Sequence, residues 1–283
     1  MIVVHEFGRL RAERRRLPEP VGFVPTMGYL HQGHLSLVRR ARSENRSVAV
    51  SIFVNPTQFG PQEDLAAYPR NLDRDLALLE GEGVDLVWNP EPETMYPPGF
   101  QTWVTVEEVS QGLEGERRPG HFRGVATIVA KLFHAVAPQR AYFGQKDAQQ
   151  AAVIRRMSAD LDFDLEVVVC PTVREPDGLA MSSRNTYLSV EDRRAAPVLY
   201  RALKAAESAF AAGERDAQRL REILQEILDQ EPRAKPQYVS VADPDTLTEL
   251  DGPVTRALLS MAVFIGKTRL IDNVVIGETR IAG

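Results

Sequence analysis

The feature that most constrains this chain is a rhythm. Short runs of apolar and β-branched residues alternate with longer stretches of helical period. Runs at 21–24, 47–54, 86–88, 141–143 and 165–170 read as strands, and stretches at 35–43, 73–82, 127–137 and 148–161 read as helices. Strands that are apolar throughout have both faces covered, and a helix between successive strands makes them parallel. The expectation is an α/β fold with a Rossmann-like, doubly wound parallel sheet. Ligands of such sheets bind beyond the carboxyl ends of the strands. After about residue 174 the rhythm changes. Helices at 197–212 and 216–229 precede strands at 237–242, 256–265 and 269–276, which suggests a smaller C-terminal α+β domain. The boundary is placed near residue 175, giving domains of 1–175 and 176–283, with REPDGLAMSSRN as the crossing segment.

At 283 residues the chain can bury a sizeable core. A net charge of -5 argues against a broad nucleic-acid or membrane-surface footprint. One cysteine, Cys170, permits no intramolecular disulfide, so a cytoplasmic setting is expected. No apolar stretch approaches the roughly 20 residues of a spanning helix, and MIVVHEFGRLRAERRR reverses the charge order of a secretory signal. It reads as a strand or turn followed by a helix, with the basic run 14–16 as a solvated helix end.

Four motifs sit where strands hand over to helices or at the expected domain junction. In PTMGYLHQGH, residues 25–34, Pro25 and Gly28 break the strand and a helix is expected to start near His34 or Leu35. Amides at such a start are unpaired and attract anions. The pair His31 and His34 could cap and pack, bind metal, or donate to phosphate oxygens. Metal is disfavoured because the other histidines are only His5, His121 and His134, with no cysteine pair or HExxH pattern. In SIFVNPTQFG, Asn55 and Gln58 follow a buried strand; their amides suit a substrate with hydroxyl and carboxylate groups, although Asn55 could simply close a turn. YFGQKDAQQ offers Gly144 for close backbone approach, Lys146 as a point charge suited to phosphate, and Asp147 as a cap, with Gln150 beside it. MSSRN, 181–185, is weak alone, since two serines before a helix more often cap it. RRPGHF, 117–122, reads as a loop carrying two arginines and His121. His5, His134 and Cys170 lack partner patterns and read as structural.

Taken together, PTMGYLHQGH, SIFVNPTQF, GQKDAQQ and MSSRN, with RPGHF in register between the second and third, resemble the pantoate–β-alanine ligases, or pantothenate synthetases. That family is related to the nucleotidylyltransferases. The resemblance implies ATP-dependent condensation of (R)-pantoate with β-alanine to pantothenate, AMP and pyrophosphate through a pantoyl adenylate. The first domain is then expected to bind nucleotide and pantoate, and, because the adenylate must be kept from water, the second, hinged near 175–186, is expected to act as a lid. The resemblance places Met27, Gly28, Tyr29, Leu30, Gln32 and Gly33 around ATP with His31 and His34. Gly144, Gln145, Lys146, Asp147, Val173, Met181, Ser182, Ser183 and Arg184 complete that site. Gln58 and Gln150 fall on the pantoate site, with β-alanine near Gln58. Asn55, Tyr68, Arg118 and His121 match further active-site positions. Magnesium is implied as the companion of ATP, with no tightly bound organic cofactor and a homodimeric assembly. Where the family can show adjacent aspartates after YPR, NLDRD interposes Arg74, leaving Asp75 as a candidate metal contact.

On this reading His31, His34, Lys146 and Arg184 are the catalytic set. They neutralise two anions as the pantoate carboxylate attacks the α-phosphorus. His34 is expected to lead as a protonated donor, and Met27 and Phe143 are expected to wall the gem-dimethyl group. No dedicated base for the amine step is visible. The alternatives are a nucleotidylyltransferase, which has no use for an amine, a tRNA synthetase, for which the chain is short and acidic, and a non-catalytic nucleotide-binding module, which releases no pyrophosphate.

Overall fold

A computed structural model describes residues 1–61 and 63–277. By internal packing the chain forms two units. Among the described residues one comprises 1–111, 115–145 and 150–171; the other comprises 112–114, 146–149 and 172–277.

In the first unit β1 (Ile2–Val4), β2 (Val21–Thr26), β3 (Ser47–Ile52), β4 (Leu86–Trp88), β5 (Arg140–Gly144) and β6 (Glu166–Cys170) form one parallel sheet in the order β1-β4-β3-β2-β5-β6. α1 (Phe7–Arg14), α2 (Gln32–Glu44), α3 (Leu72–Gly81), α4 (Pro92–Met95), α5 (Leu113–Arg117), α6 (His121–Val136) and α7 (Ala148–Asp160) follow in chain order, the first two residues of α5 and of α7 belonging to the second unit. The apolar strands are buried as their composition requires: every residue of β3 and β4 is buried. Leu35, Leu37, Val38 and Ala41 of α2 close over Val24, Val48 and Val50 in one apolar cluster. Because β2 pairs with both β3 and β5, the strand order reverses beside β2. The carboxyl ends of β2 and β5 flank this switch point, where an open α/β sheet leaves a crevice.

In the second unit α8 (Val190–Ala195), α9 (Val198–Ala211) and α10 (Ala217–Asp229) precede β7 (Ala234–Ala242), β8 (Arg256–Ile265) and β9 (Thr268–Gly277). The three strands form an antiparallel sheet. One sheet face, with Val241, Leu259, Met261, Val263, Leu270 and Ile276, shares a core with Leu199, Leu203, Leu220 and Leu224 of the helices. Pro236 stands inside β7 because a register shift between Pro236 and Tyr238 spares it the ladder donor it lacks.

Several expectations change. Pro25 does not break its strand but lies within β2, opposite Ser51. α2 begins at Gln32, ahead of His34 or Leu35, because His31 itself caps it. α6 begins at His121, so RRPGHF ends in a helix start and not in a surface loop. Gly124 permits this: a Cβ there would lie 2.4 Å from the Thr57 carbonyl oxygen. The run 14–16 is not wholly solvated. Arg14 is buried; its Nε donates to the Val136 carbonyl at 2.7 Å and its Nη2 to the Ala137 carbonyl at 2.9 Å. It thereby satisfies carbonyls that the end of α6 leaves unpaired. Among the described residues no helix is long and apolar enough to cross a membrane.

Candidate active site

The loop after β2 turns on two successive left-handed residues, Gly28 (φ 80°) and Tyr29 (φ 49°). The second is costly for a side-chain-bearing residue and needs support from outside the loop. Asp75 of α3 supplies it. Its carboxylate accepts from the Tyr29 N–H at 2.6 Å and the Leu30 N–H at 2.8 Å, and Arg74 stands 3.4 Å away. Only 1% of Asp75 is exposed. Burial pushes its carboxyl above the ordinary range, with the two amides and Arg74 opposing. Both oxygens of the candidate metal contact are therefore engaged by the loop. Among the described residues no group of three or more His, Cys, Asp or Glu gathers to hold a metal. A cavity of about 310 Å³ lined by Met27, Gly28, Tyr29, Asp75 and Asn89 opens beside the loop.

His31 and His34 hold each other at the start of α2. The His31 Nδ1 accepts from the Gly33 N–H at 3.1 Å, and the His34 Nδ1 accepts from the His31 N–H at 3.3 Å. The ring centroids lie 4.0 Å apart. A nitrogen that accepts from a backbone N–H carries no proton, so each ring presents Nε2–H as its donor. With Nδ1 so occupied, both rings are oriented by the main chain. Gly28, Leu30, Gln32 and Gly33 shape the main chain around them.

Gln58 sits at the centre of a second network. Asn55 is buried; its Nδ2 donates to Gln58 Oε1 at 3.1 Å and to the Gly124 carbonyl at 3.2 Å. Its Oδ1 accepts from the Tyr96 hydroxyl at 2.8 Å and the Thr57 hydroxyl at 3.0 Å. With both donors and the acceptor occupied inside the protein, Asn55 frames Gln58. Gln58 Nε2 donates to the Met27 sulfur at 3.2 Å. His121 Nδ1–H donates to the Gln58 carbonyl at 2.8 Å, which leaves its Nε2 to accept from Arg118 at 3.1 Å. Arg118 in turn holds Glu63 through two bonds of 2.6 and 2.7 Å. Burial opposes ionisation of Glu63, but Arg118 wins and holds the carboxyl below its ordinary range. Tyr68 is buried with its ring edge-on to Phe59. Phe143 is also buried, packed against Phe133.

Gly144 ends β5, and Gln145, Lys146 and Asp147 form one turn of 3₁₀ helix before α7. Gln150 is the third residue of α7. Lys146 Nζ stands 3.4 Å from Asp147. In the second unit residues 173–181 fold back on themselves: the Met181 N–H donates to the Val173 carbonyl at 3.0 Å and the Glu175 N–H to the Leu179 carbonyl at 2.8 Å. Ser182 Oγ accepts from the Arg184 N–H at 3.3 Å, and Ser183 is buried. The capping role that MSSRN allows is thus present at Ser182. The structure gathers Met27, His31, His34, Asn55, Gln58, Arg118 and His121 within the first unit. It assigns Lys146, Asp147, Val173, Met181, Ser182, Ser183 and Arg184 to the second.

Sequence reasoning overlooked Glu63, Tyr96 and the bracing role of Asp75. For Asp75 the available signal is an acidic residue in the first turn of α3. Glu63 and Tyr96 lie in no motif, and only the long-range bonds above reveal them.

A sequence model described as pantoate-beta-alanine ligase matches residues 2–275. The chain is 61% identical over 276 residues to a pantothenate synthetase of Roseiflexus castenholzii, covering 98% of this chain and 99% of the relative. A pantothenate synthetase of Thermotoga neapolitana is 54% identical over 274 residues, covering 97% of this chain and 98% of the other. The crystal structure of pantothenate synthetase from Thermus thermophilus superposes with a TM-score of 0.94 at 52% identity, over 98% of this chain and 100% of that one. The Francisella tularensis ligase, solved with β-γ ATP and β-alanine, gives a TM-score of 0.79 at 37% identity over 97% of each chain. On motif, fold and likeness over nearly its whole length, the chain belongs to the pantoate–β-alanine ligase family.

Proposed function

We propose that this ATP-using ligase of pantoate and β-alanine works in two steps, the first resting on the paired histidines. A pantoate carboxylate oxygen attacks the α-phosphorus of ATP, and the bond from that phosphorus to the bridging oxygen of the β-phosphate breaks to release pyrophosphate. The β-alanine amine then attacks the adenylate carbonyl carbon; the C–O bond breaks, and AMP departs with the oxygen that pantoate brought. The observation that carries this is the lock on His31 and His34: each Nδ1 is occupied by a backbone N–H, so each Nε2–H is fixed as a donor before any substrate arrives. Donors fixed in advance act most where charge grows in the transition state. The N-terminus of the 13-residue α2 adds its positive dipole end to the same place.

Lys146 and Arg184 supply net positive charge to the phosphates, and Ser182 and Ser183 supply hydroxyls. Gln58 and Gln150 read the pantoate hydroxyl and carboxylate, with Met27 and Phe143 beside its methyl groups. Magnesium bound with ATP would draw little from Asp75, whose two oxygens are committed to the Tyr29 and Leu30 amides. When bound it neutralises phosphate charge. The reading carries with it a homodimeric assembly, which sedimentation of the purified chain tests.

Pantoate labelled with ¹⁸O in its carboxylate tests the scheme. With ATP and β-alanine, one labelled oxygen is expected in AMP and none in pyrophosphate. Label in pyrophosphate or in inorganic phosphate would show activation at another phosphorus and defeat the proposal.

A further inference from the structure

β9 reads TRLIDNVVIG, an apolar strand interrupted at its centre by two adjacent polar residues. Neighbours on a strand face opposite ways, yet Asp272 and Asn273 are 2% and 4% exposed, so both faces bury a polar group there. On one face Arg174 grips Asp272 through two bonds of 2.6 and 2.9 Å. The guanidinium lies 4.2 Å over the Tyr200 ring and also donates to the Gly178 carbonyl at 3.1 Å. Asp272 Oδ1 accepts from the Asn273 N–H at 2.8 Å. On the other face Asn273 Nδ2 donates to the main-chain carbonyl of Lys146 at 2.8 Å, across 127 positions of sequence. All of these residues belong to the second unit.

An ion pair whose carboxylate is buried is a poor way to stabilise a sheet, because well-packed apolar residues do as well or better. Its rigid, two-bond geometry does serve to fix a neighbour in place. Lysine has a flexible four-carbon stem, so the placement of its charge depends on where its main chain is held. A displacement of about 1 Å in a positioning element can cost on the order of a hundredfold in rate.

We propose that Asn273, locked by the half-buried Arg174–Asp272 pair, is a positioning residue that fixes the main chain of Lys146 and so aims its ammonium group at the nucleotide phosphates. This rests on Lys146 acting on those phosphates, as in the reaction above.

The test is single-turnover adenylation, with ATP and pantoate and no β-alanine, in Asn273→Ala, Lys146→Ala and the double variant. Thermal unfolding is followed alongside. Lys146→Ala is expected to slow adenylation on the order of a hundredfold or more. Asn273→Ala is expected to slow it about ten- to a hundredfold with pantoate affinity unchanged. The double variant is expected to be no slower than Lys146→Ala, since a residue acting through Lys146 has nothing left to position. Asn273→Asp, which keeps the shape and loses the donor, is expected to repeat the Asn273→Ala defect and serves if the alanine variant does not fold. A wild-type rate for Asn273→Ala or Asn273→Asp, or losses that multiply in the double variant, overturns the inference while leaving Lys146 its role. A wild-type rate for Lys146→Ala overturns the reading on which it rests.

Discussion

The histidine loop of the first unit and the lysine turn of the second carry cationic or donor groups of one proposed reaction, but they are held by opposite means. In the loop, the functional side chains themselves are fixed: both imidazoles accept backbone N–H bonds, and Asp75 clamps the amides of Tyr29 and Leu30. In the turn, the carbonyl of Lys146 is held by Asn273, while the side chain meets only Asp147 at 3.4 Å among the bonds described. The difference follows from the groups. A neutral N–H donor acts through direction and is useless when misaligned, so its ring must be oriented. An ammonium needs no single direction of approach and sits on a flexible stem, so what must be held is the main chain from which the stem reaches.

The sharpest way to break this comparison is His34→Ala. It removes one oriented donor and the acceptor that holds the His31 N–H. Adenylation in a single turnover is expected to fall on the order of 10²–10³-fold, with pantoate affinity nearly unchanged by calorimetry. A normal adenylation rate would falsify the donor role.

Asp75→Asn probes the brace and not the donor. An asparagine turns an NH₂ group toward one of two N–H donors, leaving a buried amide unpaired. About 1–3 kcal/mol of stability is expected to be lost by urea unfolding, together with a smaller fall in adenylation than His34→Ala gives. Equal stability with unchanged kinetics would mean that the left-handed turn at Gly28 and Tyr29 holds itself.

Glu63 marks a third kind of hold, by charge. Its folded carboxyl titrates below the ordinary range because of Arg118, so its stabilisation is full above the unfolded value of about 4.3 and is lost as pH falls through the lower folded value. Wild type is expected to exceed Glu63→Gln in stability by about 1 kcal/mol at neutral pH. That gap should close on acidification below pH of about 4. A gap that persists at acid pH would assign the loss to packing.

The smallest effect is expected from Ser182→Ala. Loss of the cap on Arg184 should cost about 1 kcal/mol or less and raise the KM for ATP through the lost hydroxyl. A stability change with an unchanged KM confines Ser182 to capping.

Much of the fold could be read along the chain. β4 and β8 fall at 86–88 and 256–265 as their apolar runs require, and the shift from helix-separated strands to consecutive strands marks the second sheet. The motifs were equally visible, because strand ends, glycines and polar clusters are local in sequence. Less legible was the start of α6. RRPGHF, 117–122, reads as a loop until Gly124 is seen to let the helix press against Thr57. Arg14 read as solvated because its partners, Val136 and Ala137, lie 122 and 123 positions away.

By itself the sequence determined the parallel sheet, the second antiparallel sheet and the residue types able to handle a nucleotide and a hydroxy acid. Those follow from periodicity and turn chemistry, which operate over a few neighbours. Only the tertiary structure decided that Asp75 braces a loop, that both histidines present Nε2–H, that Asn55 frames Gln58, and that Asn273 holds Lys146. Each of these depends on which hydrogen-bonding positions a group has already used, and that is settled when distant segments meet in the folded core.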